Sequence, residues 1–174
     1  LNQLPVAQRI KGGVRIRLRT TAGLQFAETA MDRLCFHLTG REDVANTLYE
    51  LCLGSTVGVF VLPKGPSPVS EFLPPSSLRP VGFSDDEALL PVTLRSFQGY
   101  RLLQEYFAFP QRFRFVELTG LLPVVRRART QDLEVVILLG RGDSSLESVV
   151  DASNLALYCT PAINLFAKRA DRIQ

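Results

Sequence analysis

Hydrophobic and polar positions alternate strictly over Val14-Arg15-Ile16-Arg17-Leu18-Arg19, which puts three aliphatic side chains on one face of an extended segment and three guanidinia on the other. Arg33-Leu34-Cys35-Phe36-His37-Leu38 alternates again, with Leu34, Phe36 and Leu38 sharing a side. The period then changes. Thr39-Gly40-Arg41-Glu42 has the spacing of a capping box, and Val44, Leu48, Leu51 and Cys52 recur at helical intervals, so a helix is expected over 41–53 with Gly54 as its stop. Val57 to Leu62 reads as a strand apolar on both faces except at Gly58. Leu133 to Leu139 is the most β-prone stretch, and its near-continuous apolarity predicts a central strand covered on both sides.

Six prolines (63, 66, 68, 74, 75 and 80) punctuate the middle of the chain. Proline cannot donate to a β-ladder, so this stretch is expected to be an extended connector, although Phe72 and Leu73 within it point to docking. It divides the chain into a β-rich lobe with one helix at 1–62, the connector at 63–80 and an α+β lobe at 81–174, the two lobes being separable or continuous. Past the connector, Ser84-Asp85-Asp86-Glu87 is a second capping box, opening a short helix that Pro91 ends. Ser96 is placed to cap a helix over 97–108 that stops before Pro110. A strand follows near 112–118, then a short helix over 145–150 and an alternating Leu155-Ala156-Leu157-Tyr158-Cys159. Strands at 14–19, 33–38, 57–62, 112–118 and 133–139 with two packed helices predict an α+β fold, β-rich and mainly antiparallel.

Composition sharpens this picture. With 174 residues, 46% of them hydrophobic and 21% charged, the chain is of ordinary globular make-up and long enough for a sizeable core. It lacks any apolar run approaching the ~18 residues of a membrane span, and no secretory signal is visible. It opens on Leu1 while its one methionine is Met31, as expected of a piece of a longer protein. Of 20 basic residues, Lys11, Lys64 and Lys168 are lysines and the other 17 are arginines. Arginine favours fixed, bidentate contacts with carboxylate or phosphate. The 17 interleaved acidic residues hold the net charge to +3, which argues against non-specific phosphate binding. Cys35, Cys52 and Cys159, odd in number and set among apolar neighbours, read as reduced, buried thiols of a cytosolic protein.

The chemical inventory is poor. His37 is the sole histidine, so an imidazole base would have to pair with Cys35 or Cys159, and no spacing supports a metal site. Gly140-Arg141-Gly142-Asp143-Ser144-Ser145 follows a strand as phosphate loops do, but lacks both the third glycine of a dinucleotide site and the Gly-Lys-Ser/Thr of a P-loop; it reads as a strand-to-helix turn. Asp85, Asp86 and Glu87 are explained by the dipole of the helix they open. Neither cofactor nor metal is expected. Two basic groups are candidate partner-binding residues: Arg15, Arg17 and Arg19 on the first strand, and Arg126, Arg127 and Arg129 in the densest positive run. The first group must be wet or paired, and cross-strand carboxylates of this chain compete with a partner surface for it.

Gly99-Tyr100-Arg101-Leu102-Leu103-Gln104-Glu105-Tyr106-Phe107-Ala108-Phe109-Pro110, followed by Phe113-Arg114-Phe115-Val116-Glu117-Leu118, resembles the signature segment of the TssF (VasA/ImpG) family of type VI secretion baseplate subunits. Cys159-Thr160-Pro161-Ala162-Ile163-Asn164-Leu165-Phe166-Ala167-Lys168-Arg169-Ala170-Asp171 is similar to a second segment of that family, and Leu34 to Gly40 leading into Leu48-Tyr49-Glu50-Leu51 to a third. The resemblance implies an internal portion of a longer, non-enzymatic scaffold protein of the baseplate wedge. Its implied partners are TssG, TssK, TssE, the VgrG spike and Hcp tube, and further TssF copies. The implied location is the cytoplasm, in a complex docked at the inner membrane. The competing readings are an arginine-mediated nucleic-acid-binding module and a Cys/His enzyme. Tyr100, Leu103, Tyr106, Phe107, Phe113 and Phe115 are expected to build the core.

Overall fold

A computed structural model of the protein describes residues 7–65, 70–92 and 97–164. The alternating segments form strands β1 (Gly12–Arg19) and β2 (Arg33–Leu38), and the helical repeat forms α1 (Glu42–Gly54). The succeeding elements are β3 (Thr56–Pro63), β4 (Glu71–Leu73), β5 (Leu78–Val81), α2 (Gln98–Ala108), β6 (Phe115–Thr119), α3 (Leu122–Val125), β7 (Asp132–Leu139) and β8 (Leu155–Ala156). Two four-stranded sheets result, ordered β1-β7-β3-β4 and β5-β6-β2-β8, and every pairing is antiparallel. The fold is α+β.

The register explains the core. Val14, Ile16 and Leu18 lie opposite Ile137, Val135 and Leu133, and on the far side of β7 the same residues meet Val59, Val61 and Pro63. In the second sheet Leu34 and Phe36 oppose Leu118 and Val116. These inward faces join Leu48, Leu51 and Cys52 of α1 and Val124 and Val125 of α3 in one hydrophobic cluster shared by both sheets. β7 is buried almost throughout, as its apolar run predicts: even Glu134 is covered, with Arg15 at 2.7 Å and Lys64 at 2.5 Å over it.

The proline-rich stretch is more structured than its composition suggests. β4 pairs with β3 and β5 with β6, so the stretch contributes an edge strand to each sheet, where the missing proline donors cost nothing. Phe72 lies over Gly58, where a Cβ would stand 2.3 Å from its ring, and meets Phe60 edge-on at 5.2 Å.

Several local expectations are corrected. Thr39 does not cap α1: its main chain is held by Asn154, whose amide donates to the Thr39 carbonyl at 2.9 Å, and the helix starts after Arg41 with no side-chain cap. Gly54 is the last residue of α1, and Ser55 caps it. The Ser84 box closes a single 3-10 turn, Asp85–Glu87, instead of a helix, because the Leu89 and Leu90 amides bond the Glu105 carboxylate at 3.1 and 2.9 Å and not the preceding turn. The stretch 145–150 makes turns, and only Leu155–Ala156 of the last alternation is a strand. Pro110–Phe113 is a 3-10 turn, so β6 begins at Phe115. Ser96 and the end of the Cys159–Asp171 segment, from Leu165 on, lie outside the described residues.

Candidate interaction surface

Helix α2 is turned inside out. Its buried residues are Arg101 and Glu105, one turn apart, whereas Tyr100 is 65% exposed and Phe107 80%. Leu103 and Tyr106 are exposed too, as are Phe97 just before the helix and Phe83 across from it. Of the six residues expected in the core, only Phe113 and Phe115 are there. The physical reason is a charged seam beneath the helix that outcompetes its aromatic face for the body of the protein.

Arg112 is the centre of that seam and is 1% exposed. Its guanidinium pairs with the Glu105 carboxylate, donates to the Glu87 carbonyl at 2.7 Å and lies 4.6 Å from the centre of the Phe113 ring. Burial, with repulsion from Arg101, holds it below the usual arginine range. Glu105 also contacts Arg101 at 3.4 Å, and Arg101 reaches Asp85 at 3.0 Å. Glu87 accepts from the Gly82 amide at 2.7 Å. Burial alone would raise its carboxyl, but that bond, with those from Ser84, outweighs the cost and holds it below the usual range. Asp85 thus anchors α2 through Arg101, and the Glu87 carbonyl holds Arg112, roles their position in a helix turn did not disclose. The sequence signal was the Arg101–Glu105 spacing, which puts a complementary pair on one helix face.

With its charged side spent inward, α2 presents an open groove of about 560 Å³ lined by Phe83, Phe97, Tyr100, Leu103, Tyr106 and Phe113. The rings contact one another: Phe97 meets Tyr100 at 5.7 Å, Phe83 meets Phe113 at 5.1 Å and Tyr106 meets Phe113 at 6.0 Å. Burying one such side chain is worth about 1.5–3 kcal/mol, so the exposed members of this cluster make the groove a candidate contact surface.

The arginines singled out from the sequence sit on two other elements. Arg15, Arg17 and Arg19 project from the outer face of β1: Arg15 pairs with Glu134 at 2.7 Å, Arg19 grips Asp132 through two bonds of 2.7 and 3.0 Å, and Arg17 lies opposite Glu134. Arg126, Arg127 and Arg129 are exposed in the turn after α3. Arg127 pairs with Glu71 at 2.5 Å, while Arg126 and Arg129 show no ion pair among the described residues.

Among the described residues no hydrogen bond joins His37 to Cys35, Cys52 or Cys159. His37 stacks on Phe115 at 4.5 Å and directs Nε2 to the Gln111 carbonyl at 3.3 Å, and burial lowers its affinity for a proton. Burial and the charge of Glu117 raise the Cys35 thiol, and burial pushes Cys52 up to about 12, away from the reactive thiolate. Of the three cysteines expected to be buried only Cys52 is: Cys35 is half-buried, and Cys159, which lies past the end of β8 and so outside the sheet, is exposed and contacts the Leu157 carbonyl at 3.6 Å. Among the described residues there is no group of three or more potential metal ligands and no helix long and apolar enough to cross a membrane.

Comparison with known proteins agrees with this architecture. The sequence matches the family described as "Type VI secretion system, TssF" over residues 1–174. It is 52% identical over 165 residues to type VI secretion system component TssF1 of Pseudomonas aeruginosa, covering 95% of this chain and 26% of that protein. It therefore spans about a quarter of the relative's length. The fold superposes with a TM-score of 0.68 and 25% identity on a chain in the cryo-electron microscopy structure of a TssK-TssF-TssG baseplate subcomplex, covering 88% of this chain and 29% of that one. The chain belongs to the TssF family of type VI secretion proteins.

Proposed function

We propose that this chain is a non-enzymatic structural module of a type VI secretion baseplate wedge, and that it joins its neighbours through the aromatic face of α2. The observation that carries this reading is the inversion of α2: Arg101 and Glu105 are buried while Tyr100, Leu103, Tyr106 and Phe107 face water. A charged seam that size is an expensive way to attach a helix unless the outward face has a use. The presence of a TssF relative in a TssK-TssF-TssG subcomplex supports TssG and TssK as the partners. TssE, VgrG, Hcp and further TssF copies follow as more distant neighbours in the same machine, and the cytoplasm, in a complex docked at the inner membrane, follows as its location. Arg126 and Arg129, exposed and without an ion pair among the described residues, are secondary contacts, with Arg15, Arg17, Arg19 and Arg127 available by exchange of carboxylates.

The two lobes on either side of the proline-rich stretch act as one folding unit. Each sheet takes strands from both sides of it, β7 lying between β1 and β3, and β6 between β5 and β2.

The test is co-purification of the full-length protein carrying Tyr100→Ser and Phe107→Ser with TssG and TssK. Loss of both partners at an unchanged melting temperature supports the reading. Wild-type recovery of the complex overturns it.

A further inference from the structure

β1 is an edge strand, and the cleft beside it is open. Thr20 donates to the Gln131 carbonyl at 3.0 Å, which sets the phase of the ladder: the main-chain groups of Val14, Ile16 and Leu18 turn into β7, and those of Arg15, Arg17 and Arg19 turn outward. A space of about 440 Å³ runs along that free edge, lined by all five consecutive residues Val14–Leu18, from both faces of the strand. Its far wall is Phe36, Leu155 and Leu157, from the neighbourhood of β8, itself at the edge of the other sheet. Asp151 also lines it, but its carboxylate is tied to the Ser153 amide at 2.8 Å. Among the described residues the apolar interior is therefore uncovered on this side, next to a row of backbone donors and acceptors with no strand paired to them.

The charge on the outer face of the same strand says what would fit. Among the described residues Arg15, Arg17, Arg19 and Lys64 share two carboxylates there, Glu134 and Asp132, and Glu134 is already contacted by both Arg15 and Lys64. Two positive charges are uncompensated among these residues. The geometry points to β1 as an acceptor for an added strand from a partner polypeptide, one alternating apolar side chains, which enter the cleft, with carboxylates, which meet Arg15, Arg17 and Arg19. A second copy of β1 does not fit: antiparallel pairing in any register sets arginine against arginine or turns arginine into the apolar cleft. This inference does not depend on the identity of the complex.

The test uses the full-length protein and a fluorescein-labelled ten-residue peptide alternating valine and glutamate, read by fluorescence anisotropy. The peptide should bind at least about tenfold more tightly than its valine–lysine counterpart, Arg17→Glu should erase or reverse that order, and Arg17→Lys should preserve it. Amide exchange must show the same edge, with the amides of Arg15, Arg17 and Arg19 slowed by the peptide and those of Val14, Ile16 and Leu18 slow throughout. Equal binding of the two peptides, or protection elsewhere, overturns the inference. Protection of the three arginine amides without peptide also overturns it: if present in dilute protein, the edge is filled by its own chain, and if dependent on concentration, by a second copy.

Discussion

Arg112 and Glu105 form an ion pair in which the two side chains are 0% and 2% exposed, and this pair, far from solvent, fixes the side of α2 that meets the protein. The Glu105 carboxylate also receives the Leu89 and Leu90 amides, so one group ties the helix, the preceding loop and the turn at Arg112 together. Glu105→Gln keeps the shape and the acceptor oxygen but leaves Arg112 buried without its counter-charge. Removing one partner of a buried pair costs about 3–5 kcal/mol, and chemical denaturation should show a loss of that size. A loss below about 1 kcal/mol would mean that water reaches Arg112 and that the seam does not orient the helix.

The acid stability of the protein is linked to Glu134. The hydrogen bond from Lys64, with the charges of Lys64, Arg15 and Arg17, holds its carboxyl below the usual value of 4.5. Its folded pKa is thus lower than its unfolded one, so the stabilisation is complete above the unfolded value and disappears as the pH falls through the folded one. Stability measured by urea denaturation should decline below about pH 4.5, and Glu134→Gln should flatten that decline while lowering stability at neutral pH. An unchanged acid limb in the variant would assign the linkage to other carboxylates, Asp132 beside Arg19 first among them.

Interleaved strands predict the behaviour of the separated halves. Residues 1–62 hold β1 and nearly all of β3 without β7 between them, and residues 81–174 hold β7 without either neighbour. Expressed apart, each half should lack a cooperative melting transition by circular dichroism, and co-expression should restore one. Cooperative unfolding of either half alone would restore the picture of two independent lobes.

The elements whose side chains follow one simple period were legible from the sequence. Val14 to Arg19 and Leu133 to Leu139 became paired strands because alternation and continuous apolarity each have one low-energy burial, and Val44 to Cys52 became a core helix for the same reason. α2 was legible as a helix, but not in its orientation. Tyr100, Leu103, Tyr106 and Phe107 make a convincing buried face until Glu105 finds Arg112 and two loop amides, partners that only the tertiary fold brings together. Likewise, Glu71 to Leu73 has too little pattern to announce a strand, and it becomes one because β3 offers it an open edge and Gly58 leaves room for the Phe72 ring. The arginines of β1 were recognisable as a charged face, but their partners Glu134 and Asp132 lie more than a hundred residues away, where register alone could find them.

The outward role of α2 is tested most directly by a photo-crosslinking residue at position 107 of the full-length protein, irradiated in the assembled complex and mapped by mass spectrometry. Phe107 is 80% exposed here, and a crosslink from its position to another polypeptide, lost when Tyr100→Ser is added, is the predicted result. Crosslinks confined to the protein's own chain, or none at all, would contradict it and make the aromatic face an internal seam or a bare surface.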